Sequence, residues 1–262
     1  MPTMHRCVVF SRCMPLTVPT HPDFAVPHRA AETRARSRKG KRVDVYFSVD
    51  VETDGPIPGP FSMLSMALVY AGRFDGMRFQ RADDLNCSFY RELRPISADF
   101  QPEAMAINRL DRDKLMLEGV VPEVAMAEAA QWVREIAGEG EPVLVAYPLS
   151  FDWSWLYWYL VRFAPEGSPF NHSRAFDIKT AFAVKAGIPI ADAGRSNLTA
   201  ELRASGTHTH HALDDAKEQA EIFANIFEWR GNVVGSNKGT PLERFRTTLA
   251  PREIPRGCSE AR

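Results

Sequence analysis

The stretch Asp54-Gly-Pro-Ile-Pro-Gly-Pro60 constrains this chain more than any other, because three prolines and two glycines in seven residues cannot form a helix. It separates two apolar runs. Val43 to Val51 alternates and is rich in β-formers, and Met63 to Tyr70 is a second such run; Ser88 to Leu93 is a third. The first part of the chain is therefore expected to be built of strands. Helical periodicity then takes over. Pro122 opens a helix expected to place Val124, Ala127, Ala130, Trp132, Val133 and Ile136 largely on one side and to stop at Gly138. Pro142 to Tyr147 reads as a buried strand, Phe151 to Phe163 as a helix, and Ala212 to Trp229 as another. Strands leading into alternating helix and strand predict an α/β fold, a mixed β-sheet flanked by helices.

Charge divides the chain. Residues 1–42 hold nine Lys/Arg against two Asp/Glu, and residues 230–262 hold seven against three. The middle, 43–229, holds 16 basic and 28 acidic residues. An acidic middle is a poor passive binder of nucleic acid, but it suits a site that recruits divalent cations, which then meet phosphate. Residues 1–42 are expected to form a disordered basic extension, 43–230 a single catalytic domain, and 231–262 a loose tail. The four cysteines (Cys7, Cys13, Cys87 and Cys258) form no CxxC pair. A zinc site or a disulfide framework is not expected, and a reducing, cytoplasmic setting is. No apolar run reaches the roughly 18 residues that span a bilayer, so no membrane partner is expected.

Three segments carry candidate chemistry. Asp50 and Glu52 lie two apart near the end of the first strand, so their side chains share a face. Asp152 follows the buried strand and opens a helix rich in Trp and Tyr. Asp215 closes the segment His210-His-Ala-Leu-Asp-Asp215 at the start of the last helix. Singly, each has a plain structural reading: solvated charge at a strand end, or a carboxylate favoured in the first turn of a helix. Together, four carboxylates at strand ends and helix starts would repel one another in one pocket unless cations neutralised them. Oxygen ligands select the hard cations Mg²⁺ or Mn²⁺, and two such ions can clamp the attacking and leaving oxygens of a phosphodiester. A neutral histidine suits the role of general base toward water. By position alone, His210 and His211 are both eligible.

The order and context of these segments resemble the DEDDh 3′→5′ exonuclease superfamily, which includes ribonuclease T, oligoribonuclease and proofreading exonucleases. The first motif is similar to Val49-Asp-Val-Glu-Thr-Asp-Gly55, the second to Ser150-Phe-Asp152, the third to His210-His-Ala-Leu-Asp-Asp215. The likeness extends over about 43–229, including Pro102 to Ile107. It implies a ribonuclease-H-like fold, two divalent cations (Mg²⁺ or Mn²⁺) on Asp50, Glu52, Asp152 and Asp215, and His210 as the base. It also implies a nucleic-acid substrate cut from its 3′ end. A single-stranded or short substrate is expected, RNA before DNA, although that choice depends on how the pocket meets the 2′-hydroxyl. The chain departs from the family pattern in the extra Asp54 before Gly55, and in Tyr147-Pro-Leu-Ser150 ahead of the second motif. Two other readings of the same residues are an interaction module that has lost catalysis and a proofreading subunit docked on a polymerase.

Further residues have two readings each. Trp153, Trp155, Trp158 and Tyr159 are spaced as core residues but could stack on bases. Arg109, Lys114, Arg174 and Lys179 are solvated by default but could contact phosphate. His208, with His210 and His211, lacks a thiol or spaced fourth ligand that would favour zinc.

Overall fold

In a computed structural model of the chain, residues 42–206 and 208–232 are described. The extension expected over 1–42 lies outside the described residues save Arg42, and the tail expected over 231–262 lies outside them save Gly231 and Asn232. Asn232 donates from its main chain to Lys185 O and from its amide to Ala186 O.

Strand β1 (Asp44–Thr53) pairs antiparallel with β2 (Met63–Phe74), which in turn pairs with β3 (Phe79–Arg81) and β4 (Ser88–Glu92). On the other edge of β1, β5 (Glu141–Ala146) runs parallel to it, followed by β6 (Ala175–Asp177), parallel to β5. The result is the expected mixed sheet, ordered β3-β2-β1-β5-β6 with β4 also on β2. The Gly/Pro-rich stretch is the turn between β1 and β2. A Cβ at Gly55 would stand 2.2 Å from the Phe61 ring, so only glycine fits there without moving the ring.

Alternation along β1 sorts its side chains into two layers. Val45, Phe47, Val49 and Val51 join one core with α3 (Pro122–Ala137) and α4 (Leu149–Phe163). Tyr46 joins the other, made with α5 (Ile178–Ala186) and α6 (Ala212–Glu228). Ser48, Asp50 and Glu52 follow Tyr46, so the two acids face the α6 side. The helices therefore flank the sheet on both faces. The helix α3 presents Ala125, Met126, Ala129, Ala130, Val133 and Ala137 to the core. Val124 is exposed instead of facing inward, because it lies about 100° around the helix from Ala125. Trp155 and Tyr159 of α4 are fully buried, and the Tyr159 hydroxyl accepts from Met63 N. Two seven-residue helices, α1 (Pro102–Asn108) and α2 (Arg112–Glu118), fill the segment between β4 and α3.

The loop after β1 is pinned by a buried ion pair. Asp54 is wholly buried; its carboxylate accepts from Arg112 Nε at 3.0 Å and from the main chain of Ser62. Arg112 Nη2 also donates to the Ser97 carbonyl. Asn108 Nδ2 donates to Thr53 O, and Gln101 N to Asp54 O. The additional acid of the first motif is thus a tie between the end of β1 and α1–α2. Removing one partner of such a pair strands a buried charge. Arg112→Ala is expected to cost about 3–5 kcal/mol in urea unfolding, and a loss below about 1 kcal/mol would show that Asp54 is solvated or otherwise paired.

Candidate active site

The site forms where β1 outruns its parallel neighbour. Pairing of β1 with β5 ends at Ser48 and Val145, while β1 continues to Thr53. The Val51 N–H beyond that point is satisfied by Asp152 Oδ1 at 3.1 Å. Asp152, buried in the first turn of α4, thereby reaches the strand that carries Asp50 and Glu52. The start of α4 is itself held by Asp177 at the end of β6, whose carboxylate accepts from Leu149 N and, as the N-cap of α5, from Thr180 N.

From the other face comes Asp215, fully buried in the first turn of α6. Its oxygens accept from the main-chain N–H groups of Thr209 at 2.8 Å and His210 at 2.9 Å. These bonds hold the loop before the helix in a sharp bend, with His210 at φ +58, a left-handed conformation uncommon for a residue with a side chain. One ligand oxygen each from Asp50, Glu52 and Asp215 lie within 4.8 Å of one another; so do single ligand atoms of His208, His210 and Asp215.

A cleft of about 460 Å³ opens over this cluster. Asp50, Glu52, Asp152, His208 and His210 line it on one side, and Pro56, Ala104, Ile107 and Phe151 supply apolar wall. His210 is exposed to the cleft, whereas the His211 ring lies against Tyr90 (centroids 5.1 Å apart) and beside Asp214. His208 is also exposed in the cleft, with Nδ1 2.9 Å from Asp215 Oδ2.

Crowding leaves its mark on protonation. Burial, followed by the charges of Asp152, Glu52 and Asp215, holds the Asp50 carboxyl well above the usual carboxylate range. Burial and then Asp215 and Asp152 push Glu52 up to about 8. Asp152 is raised to about 7 by burial, against the opposing pull of the Val51 N–H, its own N–H and the Arg195 charge. Carboxyls this reluctant to ionise, with their oxygens converging, form a hard-oxygen donor set that fits divalent cations. A cation is what makes the ionised cluster affordable in a buried place.

Two residues at the site were not anticipated from sequence. Gln219, one turn after Asp215, donates to Asp50 Oδ1 at 2.7 Å and accepts from Tyr147 N at 2.6 Å, tying α6, β1 and the end of β5 together. Its one signal was a Gln at an inward position of an amphipathic helix, between Ala216 and Ala220. Arg195 lines the cleft from a short turn after α5 and has no local signal. Other residues weighed from sequence lie elsewhere. Trp153 stacks on Tyr157, Trp158 packs on Tyr159 and Phe163, and none of Trp153, Trp155, Trp158 and Tyr159 lines the cleft. Arg174 pairs with Glu141, at the far end of β5, and Lys114 with Glu118. Arg109 caps the end of α1, and neither it nor Lys179 borders the cleft.

No protein-family model matches the chain. It is 36% identical over 187 residues to the 3′-5′ DNA exonuclease Cap18 of Escherichia coli, covering 70% of this chain and 91% of that protein. It is 27% identical over 179 residues to ribonuclease T of Histophilus somni (strain 129Pt), covering 67% and 79%. Its fold is similar to that of the nuclease domain of 3′hExo, described as a DEDDh family member bound to rAMP. There the TM-score is 0.52 at 11% identity, with 73% of this chain and 94% of that one covered. The mixed sheet flanked by helices is thus of the ribonuclease-H-like kind. The motif order, the sheet that brings those motifs together and the 36% relative agree: the chain belongs to the DEDDh 3′→5′ exonuclease superfamily and is a 3′→5′ exonuclease.

Proposed function

We propose that this enzyme removes nucleotides from the 3′ end of single-stranded DNA, with Asp50, Glu52, Asp152 and Asp215 holding two divalent cations, Mg²⁺ or Mn²⁺, and His210 acting as general base. The observation that carries this is the convergence of the Asp50, Glu52 and Asp215 oxygens beneath a cleft that also exposes Asp152 and His210. The bound cations would supply positive charge at the oxygens that attack and leave phosphorus. Four ionised carboxylates match the charge of two such ions.

The protein's own residues do the rest. Gln219 fixes the orientation of Asp50, and Val51 N–H that of Asp152. The main-chain bonds from Thr209 and His210 to Asp215 place the His210 ring beside the ligands. His210 takes a proton from water as the water oxygen bonds to phosphorus. The bond from phosphorus to the 3′ oxygen of the preceding nucleotide breaks, that oxygen takes a proton from solvent to become the new 3′-hydroxyl, and the terminal nucleotide leaves with its 5′-phosphate. The apolar wall of Pro56, Ala104, Ile107 and Phe151 suits a nucleobase. A terminal base in a duplex would first have to unpair and unstack, at a cost of a few kcal/mol, which favours single strands.

DNA is preferred here because the 36% relative is named a DNA exonuclease. The expectation of RNA stays as a second reading, because the relatives at 27% and 25% identity are named ribonuclease T. Hydrolysis of 3′-labelled DNA and RNA oligomers by the full-length protein decides between them. No helix among the described residues is long and apolar enough to cross a membrane. A reducing, cytoplasmic setting belongs to the same reading, drawn from a cysteine pattern without a CxxC pair.

His210→Ala is expected to lower turnover by roughly 10²–10⁴ with cation binding largely kept, while His211→Ala is mild because its ring sits on Tyr90. The reverse ranking in single-turnover assays would move the base to His211. Near-normal turnover in both would remove the histidine from the mechanism.

The raised carboxyls also set a pH dependence. Unfolded, Glu52 and Asp152 ionise near about 4; folded and ion-free, they hold their protons to about 8 and about 7. Their contribution to stability is complete below the unfolded value and is lost as pH rises toward 7–8. Divalent cations bind the ionised form and restore it. The rise in melting temperature on adding Mg²⁺ or Mn²⁺ should therefore be larger at about pH 8 than at about pH 5.5. An equal rise at both, or none, would show that the cluster does not take up the ions.

A further inference from the structure

The cleft sets one guanidinium among its acids. Of the described residues that line it, Arg195 is the one Arg or Lys, opposite Asp50, Glu52, Glu103 and Asp152. A fixed positive charge beside a cation site weakens that site by repulsion. Glu218, outside the proposed cation ligands, offsets part of that charge as its ion-pair partner.

The side chain is held in place but not satisfied. Arg195 Nη2 donates to the Tyr147 carbonyl at 3.2 Å, and its guanidinium carbon lies 5.4 Å from the centre of the Tyr147 ring. Glu218, in the second turn of α6, is mostly buried and pairs with Nη1 at 3.8 Å, an ion pair without a direct hydrogen bond. Arg195 Nε and Glu218 Oε2 are both buried without a hydrogen-bond partner. The remaining contact is compromised. His208 Nδ1 stands 2.9 Å from Arg195 Nη1 and also 2.9 Å from Asp215 Oδ2. If that nitrogen is bare it accepts from the arginine and faces a carboxylate lone pair; if it carries a proton it serves Asp215 and faces an N–H of the arginine. With Nδ1 protonated toward Asp215, the arginine is left the bare Nε2, 3.4 Å from Nη1, a long contact. Arg195 thus has donors to spare in the wall of the cleft, and its planar fork matches phosphate oxygens.

We infer that Arg195 binds the phosphate at which the chain is cut, contacting a non-bridging oxygen in the substrate and keeping that contact with the 5′-phosphate of the released mononucleotide. Glu218 is then a positioning residue that keeps the guanidinium at the wall. This inference rests on the proposed nuclease site, since it places the phosphate over Asp50 and Asp152.

The test uses the full-length protein with Mg²⁺, in wild-type, Arg195→Ala and Arg195→Lys forms. A nucleoside 5′-monophosphate and the same nucleoside without phosphate are titrated by calorimetry, with hydrolysis of a labelled oligomer and the melting temperature followed in parallel. Arg195→Ala should weaken monophosphate binding by about 10- to 100-fold, the usual range for a hydrogen bond to a charged group. Nucleoside binding should change by less than about 2-fold, and Arg195→Lys should fall between. A role confined to shaping the cleft would weaken both ligands alike, and that result, or no change in either, overturns the inference. If wild-type protein binds the monophosphate but hydrolyses nothing, the nuclease mechanism fails while the ratio between the two ligands still decides the role of Arg195.

Discussion

Carboxylates crowded at one end of a sheet, with little water to dilute their charge, set the terms for everything around them. Asp50 is pressed by Asp152, Glu52 and Asp215, and burial is the largest of the forces that hold its carboxyl above the usual carboxylate range. Such a cluster is costly in isolation, and three of its four members are held by a bond from another segment: Asp50 by Gln219, Asp152 by Val51 N–H, Asp215 by the main chain of Thr209 and His210. These ties join α6, β1 and α4. The site and the junction of the two helical layers with the sheet are therefore the same piece of structure. The left-handed turn at His210 follows from this, because the bonds that orient Asp215 also bend the chain that carries the histidine.

Much of the fold was legible because long elements advertise their period. The strands β1, β2, β4 and β5 showed as apolar or alternating runs, and α3, α4 and α6 as periodic ones. The seven-residue helices α1 and α2 and the three-residue strands β3 and β6 are shorter than the period needed to recognise them. The nine-residue α5 depends on Asp177 as its cap, a residue that simultaneously holds α4, and that double duty exists only in three dimensions. On α3, Val124 was counted toward the core for its apolarity, yet the small residues Ala125 and Ala129 are what let the helix approach the sheet.

The same division runs through the site. Asp50, Glu52, Asp152, His210 and Asp215 stood out because each sits at an element's end in a recurring local context. Gln219 and Arg195 act across distances of sequence that carry no local pattern: Gln219 meets a residue 169 positions away, and Arg195 a carbonyl 48 positions away. Between His210 and His211 the chain order was neutral, and the structure separates them by direction, one toward the cleft and one onto Tyr90.

The central claim is that these four carboxylates hold two cations side by side. Crystals of the full-length protein grown with Mn²⁺ and a nucleoside 5′-monophosphate would show it through anomalous scattering. Two peaks roughly 3.5–4 Å apart, seated among Asp50, Glu52, Asp152 and Asp215, are the predicted result. A single peak seated on His208, His210 and Asp215, or no peak at the end of β1, would contradict it.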